Sequence, residues 1–219
     1  TADCAISLLF AAARRIVESD DYMRSGKFEG WAPMLLLGKE VTGATLGILG
    51  AGRIGENVAR KMASFDMNII YADPYPNKEM DAMGAKQVDL ETLCKESDYI
   101  SIHVNLCEAT HHLIGEKELT LMKPTATIIN TARGPVIDET ALVAHLKANP
   151  EFYAALDVFE DEPAMKPGLN ECHNAVIIPH LGSATIEART KMSTIAAQNL
   201  IDALTNNTPK FLVNKDSFA

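Results

Sequence analysis

The segment LGILGAGRIGENVARKM (residues 46–62) joins an apolar run to a helical pattern through three closely spaced glycines. The apolar run predicts a buried strand, and the pattern after the glycines predicts a helix. Gly50, Gly52 and Gly55 have the spacing GxGxxG. A strand, a glycine turn and a helix in this order are typical of the first unit of a nucleotide-binding α/β sheet, although the glycine spacing alone is weak evidence.

Apolar runs of strand length alternate with helical patterns along the rest of the chain. The predicted strands span residues 45–49, 68–72, 99–104, 126–130, 153–157 and 175–178. The predicted helices span residues 53–65, 89–95, 116–122, 139–147 and 184–204, and the run CAISLLFAAA predicts a helix within residues 1–20. Because the strands are almost entirely apolar, we expect an α/β fold with a Rossmann-like, doubly wound parallel sheet.

Each glycine of the turn has a separate chemical use. Gly50 permits a tight turn, Gly52 lets a pyrophosphate approach the backbone, and Gly55 lets the helix pack closely against the sheet. Asp73 ends the second predicted strand, about 20 residues past the glycines, where an acid accepts hydrogen bonds from the adenosine ribose. A carboxylate there repels a 2′-phosphate, so we expect NAD, with NADH preferred over NADPH. The alternative is that Asp73 only forms a turn before Pro74.

The charge and the cysteines exclude several classes of protein. A net charge of -9 argues against binding to nucleic acid or to an anionic membrane surface. The four cysteines are widely spaced, which is typical of reduced thiols rather than of a disulfide framework. The pairs Cys172-His173 and His111-His112 lack the paired spacing of a zinc site, so we expect no metal.

Three more segments place polar residues where an apolar strand ends. They are IINTARGPVID, ALDVFEDEP and VIIPHLGSAT. The carboxyl ends of parallel strands are where open α/β sheets bind ligands. Taken singly, Arg133 is equally well a surface turn residue, Glu162 part of a solvated acidic loop, and His180 a loop histidine. Together, at successive strand ends, they favour one functional site.

These three segments and GAGRIG resemble the motifs of the D-isomer-specific 2-hydroxyacid dehydrogenase family, in order and over nearly the whole chain. Within that family, residues 28–55 and 149–169 are most similar to hydroxypyruvate reductase, also called glycerate dehydrogenase. The resemblance implies hydride transfer between NAD(H) and a small 2-hydroxy or 2-oxo acid, with hydroxypyruvate or glyoxylate as the expected substrate. A phosphoglycerate dehydrogenase-like enzyme and a non-catalytic, dinucleotide-sensing binding protein of the same fold are the alternatives. Formate dehydrogenase is disfavoured, because it has glutamine where this chain has Glu162.

The resemblance also assigns residue roles. Arg133 is expected to bind the substrate carboxylate, because a guanidinium matches a planar carboxylate. His180 is the expected general acid, and Glu162 is expected to hydrogen-bond its ring and fix the tautomer. The implied cofactor contacts are Gly50, Gly52, Arg53, Ile54, Gly55, Asp73, Thr131, Ala132, Arg133, Asp157, His180, Gly182 and Ser183. The chain departs from the family pattern at Asn105 and Cys107, where relatives often have Pro and Thr.

The resemblance finally implies a domain division and a homodimer. Residues 1–20 are expected to be a crossover helix from a substrate domain whose first part is absent. Residues 21–183 form the NAD-binding domain with a dimerisation arm near Trp31, and residues 184–219 return to the substrate domain. We expect a cytoplasmic or organellar-matrix protein, because no targeting segment is visible and Asp216–Ala219 is no peroxisomal signal. An absent N-terminus would hide a targeting peptide.

Overall fold

A computed structural model describes residues 1–205 and 207–214, and contacts between residues divide the chain into the units Thr1–Gly182 and Ser183–Ala219. The peroxisomal-signal assignment, on Asp216–Ala219, lies outside the described residues. The predicted boundary at residue 183 is one residue from this division. Assignment of the two ends of the chain to a further domain stays a prediction.

The first unit is built on a seven-stranded parallel sheet in the order β3-β2-β1-β4-β5-β6-β7. The strands are β1 Thr45–Leu49, β2 Asn68–Ala72, β3 Lys86–Gln87, β4 Tyr99–Ile102, β5 Thr127–Asn130, β6 Tyr153–Leu156 and β7 Ala175–Ile177. Six of these strands were predicted, with ends that differ by no more than two residues. The two-residue strand β3 was missed, because Lys86 and Gln87 are exposed and polar.

Helices cover both faces of the sheet. They are α1 Ala2–Ala13, α2 Ile16–Arg24, α3 Arg53–Met62, α4 Lys78–Ala82, α5 Leu90–Glu96, α6 Glu116–Leu121 and α7 Glu139–Ala148. One apolar cluster combines side chains of α1, α3 and α4 with one face of the sheet, and a second cluster combines α5, α6 and α7 with the other. The predicted Rossmann-like, doubly wound fold is confirmed.

The prediction of one continuous helix within residues 1–20 is wrong, because the structure has two helices there. Arg15 adopts a left-handed conformation, with φ of 52°, and separates α1 from α2. Ala13 O then accepts a hydrogen bond from Lys39 N at 2.7 Å instead of continuing the helix. Ile16 begins α2 and is 55% exposed.

Asparagine and aspartate side chains begin three of the helices. Asp89 caps α5 by accepting from Thr92 N, and Asp138 caps α7 by accepting from Ala141 N. Asn77 begins α4, the helix that the sequence analysis missed, by accepting from Glu79 N and Met80 N. A short polar side chain that binds a free N–H of the first turn favours a helix start at each of these positions.

The second unit contains one long helix, α8 Ile186–Leu204. The Thr185 hydroxyl caps it by accepting from Ala188 N at 3.1 Å, so the helix begins two residues after the predicted start. Several apolar side chains of α8 are exposed, among them Ile186, Met192, Leu200 and Leu204. Among the described residues, no helix combines the length and apolar character needed to cross a bilayer.

Candidate active site

The carboxyl ends of the parallel strands meet at one edge of the sheet. The strand order reverses between β1 and β4, and a crevice forms at such a reversal because the connections leave toward opposite faces. Gly50 follows β1 at this point, and a Cβ on Gly50 would lie 2.7 Å from the backbone of His103, which follows β4. The glycine turn therefore lies at the reversal, where this class of sheet binds its ligands.

The three glycines of the turn meet three different steric demands. Gly50 has φ of +98°, a conformation that side-chain-bearing residues rarely adopt. A Cβ on Gly55 would lie 2.2 Å from Gly50 O, so only glycine permits α3 to start this close to the turn. A Cβ on Gly52 would meet no described atom within 4 Å. Gly50 and Gly55 are thus required by the fold, whereas Gly52 faces open space.

Helix α3 begins in that open space. Its N-cap residue is Gly52, and in the described part of the chain no side chain caps it. Arg53 and Ile54, the first two helical residues, are exposed. Free N–H groups at a helix start attract an anion, since they carry the positive end of the helix dipole.

Asp73 follows β2 beside the same turn. Its Oδ2 accepts a hydrogen bond from Ala51 N at 2.8 Å, and its Oδ1 accepts from Tyr75 N at 2.9 Å. Asn77 supports the turn from α4, because its Nδ2 donates to Ala51 O at 2.8 Å. The sequence analysis missed Asn77, since an asparagine shortly after a proline reads only as part of a turn.

Thr131, Ala132 and Arg133 follow β5. Thr131 is 7% exposed, and its Oγ1 is buried without a hydrogen-bond partner among the described residues. Asn130 shapes this turn, since its side chain accepts from Ala132 N at 3.0 Å and donates to Arg133 O at 2.9 Å. Arg133 is exposed, and its Nη1 donates to Ala132 O.

Gly134 brings the Arg133 turn against the loop that carries Glu162. A Cβ on Gly134 would lie 1.8 Å from Phe159 O, so the two backbones are in contact and no larger residue fits. Gly134 was not among the predicted site residues. The sequence TARGP contains it, but nothing in the pattern indicates which backbone it touches.

His180 and Glu162 form a hydrogen-bonded pair. His180 Nδ1 donates to Glu162 Oε2 at 2.9 Å, and the two side chains are 52% and 36% exposed. Glu162 Oε1 also accepts from Phe159 N at 3.1 Å. Partial burial raises the pKa of Glu162, but hydrogen bonds from His180 and Phe159 and the charges of His180 and Arg133 outweigh it and hold that pKa below its ordinary value. The acid therefore stays ionised beside the ring.

Asp157 is a buried residue that binds backbone groups. It is 1% exposed, and its two carboxylate oxygens accept hydrogen bonds from Leu181 N and Gly182 N. Its carbonyl oxygen accepts from His180 N at 2.9 Å. His180 has a left-handed backbone, with φ of 52°, which these hydrogen bonds hold in place. A contact between Asp157 and the nicotinamide stays a prediction.

Two predicted features lie outside this set. Ser183 begins the second unit, and its cofactor contact stays a prediction. Cys107 is exposed in the loop after β4, where hydrogen bonds from the Thr110 hydroxyl and nearby backbone lower the pKa of its thiol. Among the described residues, no cluster of three His, Cys, Asp or Glu side chains has the arrangement of a metal site.

The groups at this edge of the sheet suit a dinucleotide and, beside it, a small anionic substrate. The open space at Gly52 and the free start of α3 suit a pyrophosphate, and the Asp73 side chain suits a ribose diol. The buried, unpartnered hydroxyl of Thr131 is a further polar group at this edge among the residues described. At the same edge, His180 follows β7 and its hydrogen-bond partner Glu162 follows β6, and this pair suits proton transfer. The exposed guanidinium of Arg133 follows β5 and suits the binding of an anionic substrate.

Known proteins share both the sequence and this architecture. Glyoxylate reductase of Thermococcus litoralis is 50% identical over 99% of this chain and 67% of its own length. The crystal structure of the TT0316 protein of Thermus thermophilus has a TM-score of 0.89 at 39% identity, and it matches 95% of this chain and 66% of its own. D-lactate dehydrogenase of Aquifex aeolicus, complexed with NAD and lactic acid, has a TM-score of 0.85 at 28% identity, over 94% of this chain and 66% of its own.

This chain therefore spans about two thirds of the length of these relatives. Residues 6–182 match the family model described as D-isomer specific 2-hydroxyacid dehydrogenase, NAD binding domain. That range includes the glycine turn, Asp73, Arg133, Glu162 and His180. The chain belongs to the D-isomer specific 2-hydroxyacid dehydrogenase family, and residues 6–182 are its NAD-binding domain.

Proposed function

We propose that this chain supplies the cofactor-binding and acid–base groups of an oxidoreductase that interconverts a small 2-oxo acid and its D-2-hydroxy acid. The observation that carries the proposal is the hydrogen bond from His180 Nδ1 to Glu162 Oε2, at the sheet edge that also holds the glycine turn. A nicotinamide cofactor supplies or accepts the hydride when bound. Substrate binding, orientation and proton transfer are the work of side chains of this chain.

His180 is the proton donor in the proposed reduction. Since Nδ1 is bonded to Glu162, Nε2 is the ring nitrogen that faces the reacting oxygen and gives its proton as the carbonyl carbon is reduced. The charge of Glu162 stabilises the imidazolium before transfer and keeps the remaining proton on Nδ1 afterwards. In the reverse direction Nε2 takes the hydroxyl proton.

Arg133 is the carboxylate-binding group. Its exposed guanidinium presents paired N–H donors that match a planar carboxylate, and its charge also polarises the adjacent 2-oxo group. Gly134 holds this turn against the backbone of the loop that carries Glu162. The proposal therefore assigns substrate binding and proton transfer to adjoining loops.

The proposed substrates are glyoxylate and hydroxypyruvate, with NADH preferred over NADPH. The first is supported by the Thermococcus litoralis relative, which carries the name glyoxylate reductase. The second is supported by the resemblance of residues 28–55 and 149–169 to hydroxypyruvate reductase. The cofactor preference is supported by Asp73, whose carboxylate disfavours a 2′-phosphate.

The test begins with titration of the purified chain with NADH and with NADPH, followed by either acid while NADH consumption is monitored. NADH binding is the expected result, and oxidation on addition of glyoxylate or hydroxypyruvate would show that the chain carries every group that turnover needs. NADH binding without oxidation would place the remaining substrate groups outside these 219 residues. Circular dichroism verifies that the chain is folded. If the folded chain binds neither nucleotide, the cofactor assignment is refuted.

We also propose that the chain forms a homodimer through residues 16–37. Several large apolar side chains in this segment are exposed, including Trp31 at 84%, Met34 at 76% and Met23 at 55%. Large apolar side chains that are exposed in one segment favour a protein interface. Sedimentation analysis is expected to give a dimer that Trp31→Asp weakens and that Tyr75→Asp, at another exposed aromatic, leaves intact. A monomeric wild-type chain would contradict the proposal.

A further inference from the structure

A buried carboxylate outside the predicted site touches the loop that carries Glu162. Glu139 is the first residue of α7 and is 2% exposed. Its Oε2 accepts a hydrogen bond from Glu160 N at 2.7 Å, and its Oε1 accepts from Lys166 N at 2.7 Å. The two donors flank Glu162 in sequence, so one side chain fixes both ends of the segment 160–166.

The contact is reciprocal. Glu160 Oε2 accepts a hydrogen bond from Glu139 N at 3.1 Å, so each of the two carboxylates binds the backbone of the other residue. Lys166 Nζ lies 3.4 Å from Glu160 Oε1 and 2.6 Å from Asp161 Oδ2. The positive charge of Lys166 offsets part of the negative charge that accumulates around the loop.

A role in starting α7 does not account for these contacts. An acid in the first turn of a helix is favourable because it faces the free N–H groups of that helix. In α7 the N-cap residue Asp138 already binds one of these N–H groups, since its Oδ1 accepts from Ala141 N at 3.0 Å. Both oxygens of Glu139 instead bind N–H groups of another loop, and burying an ion is costly unless such hydrogen bonds compensate for lost water.

We propose that Glu139 is a positioning residue for the proton-transfer pair: it fixes segment 160–166 so that Glu162 Oε2 meets His180 Nδ1. The two members of the pair are then held separately by buried carboxylates. Asp157 fixes the backbone around His180, and Glu139 fixes the loop of Glu162. The catalytic role of Glu139 rests on the proposed function, whereas its effect on the Glu162–His180 hydrogen bond does not.

The ring tautomer of His180 provides a readout that needs no turnover. While Glu162 accepts from Nδ1, the neutral ring keeps its proton on Nδ1, and long-range ¹H–¹⁵N NMR distinguishes this form from the Nε2–H form. The spectrum is recorded on the labelled chain at a pH where the ring is neutral. The His180 signals are assigned by their absence from His180→Asn.

The informative comparison is Glu139→Ala with Asp138→Ala. Both changes remove an acid from the start of α7 and lower the melting temperature, but only the first removes the contacts to Glu160 and Lys166. We expect the Nδ1–H form to be the major tautomer in wild type and in Asp138→Ala. We expect it to lose that majority in Glu139→Ala, as it does in Glu162→Ala, which removes the acceptor itself.

Glu139→Gln covers the case in which Glu139→Ala fails to fold. The amide keeps the size of the side chain and one accepting oxygen, so we expect a tautomer ratio between those of wild type and Glu162→Ala. A wild-type ratio in a folded Glu139→Ala or Glu139→Gln would overturn the positioning role. If the tautomer shifts as expected while the folded wild-type chain binds neither NADH nor NADPH, the positioning role stands and the proposed function fails.

Discussion

The proposed dinucleotide end and the proposed proton-transfer end of this edge are built in different ways. The glycine turn and Asp73 come from adjacent strands β1 and β2, within one βαβ unit, and backbone sterics define them. Arg133, Glu162 and His180 follow β5, β6 and β7, and long-range hydrogen bonds bring Glu162 and His180 together. The first end is therefore determined by a short segment of chain, whereas the second depends on how separate loops are held.

The two ends also differ in exposure. Gly50 packs against backbone atoms of His103, and Gly55 packs against the backbone of the turn itself. The His180 and Glu162 side chains are 52% and 36% exposed, so their pairing depends on the buried residues beneath them. Substitutions are therefore expected to separate cofactor binding from chemistry, and four experiments test this separation, beginning with the largest effect.

In a form of the protein that oxidises NADH, His180→Ala is expected to remove most turnover and leave NADH affinity nearly unchanged. Loss of a general acid lowers the rate by about 10² to 10⁴-fold, because no other group delivers the proton. NADH oxidation with glyoxylate measures the rate, and NADH fluorescence measures the affinity. A large loss of NADH affinity with unchanged turnover would show that the two ends are not separate and that His180 is no acid.

Gly50→Ala is expected to destabilise the fold and abolish NADH binding. Its φ of +98° and the 2.7 Å approach of a Cβ to His103 together cost about 2 to 4 kcal/mol. Gly84→Ala is the matched control, because Gly84 has φ of +88° but a Cβ there would meet no described atom within 4 Å. Denaturant unfolding and NADH titration should show a larger loss of stability and of NADH affinity in Gly50→Ala than in Gly84→Ala. Equal effects would contradict the steric argument.

His103 makes the cofactor end sensitive to acid. Burial lowers its pKa from 6.5 to about 4, so the unfolded state binds more protons than the folded state as pH falls through that window. The free energy of unfolding should therefore fall between pH 6.5 and pH 4, by about 3 kcal/mol. Glu162, with its pKa lowered from 4.5, adds a loss only below its ordinary range.

Melting temperatures across this pH range, for wild type and His103→Asn, measure the contribution of His103. The variant should lose less stability on acidification, because asparagine does not titrate. His173→Asn, at an exposed histidine, should follow wild type. If His103→Asn also follows wild type, the acid sensitivity lies elsewhere.

Asp73→Ala is expected to give the smallest effect, about a 10-fold rise in the Kd of NADH with a gain in the relative affinity for NADPH. Removing a charged acceptor costs about 1.5 kcal/mol or more, and the repulsion of a 2′-phosphate disappears with it. Titration with both nucleotides measures the ratio of the two affinities. An unchanged ratio would show that Asp73 only braces Ala51 and Tyr75.

Sequence patterns predicted the parts of this protein that depend on nearby residues. Strand and helix positions follow from apolar periodicity, and the fold class follows from their alternation. The glycine turn is readable because φ above zero and close backbone contact leave glycine as the only residue that fits. The break between α1 and α2 was missed, because no glycine or proline marks Arg15.

Strand-end positions and the family resemblance together predicted the candidate site residues, but neither predicted the residues that hold them. Asn77, Asn130, Gly134 and Glu139 read in sequence as turn or helix-start residues. Glu139 is the clearest example, since a first-turn acid is expected at any helix and only the folded chain shows it buried against Glu160 and Lys166.

The sequence by itself thus determined the parallel sheet and the glycine turn, because periodicity and steric limits act over a few neighbouring positions, and the family resemblance supplied the candidate site residues. The tertiary structure alone decided that Asp157 binds the loop of His180 and that Glu139 binds the loop of Glu162. A buried carboxylate is tolerated wherever enough N–H donors surround it, and those donors come from residues far away in the chain. Their identity is a property of the packed fold and not of any local pattern.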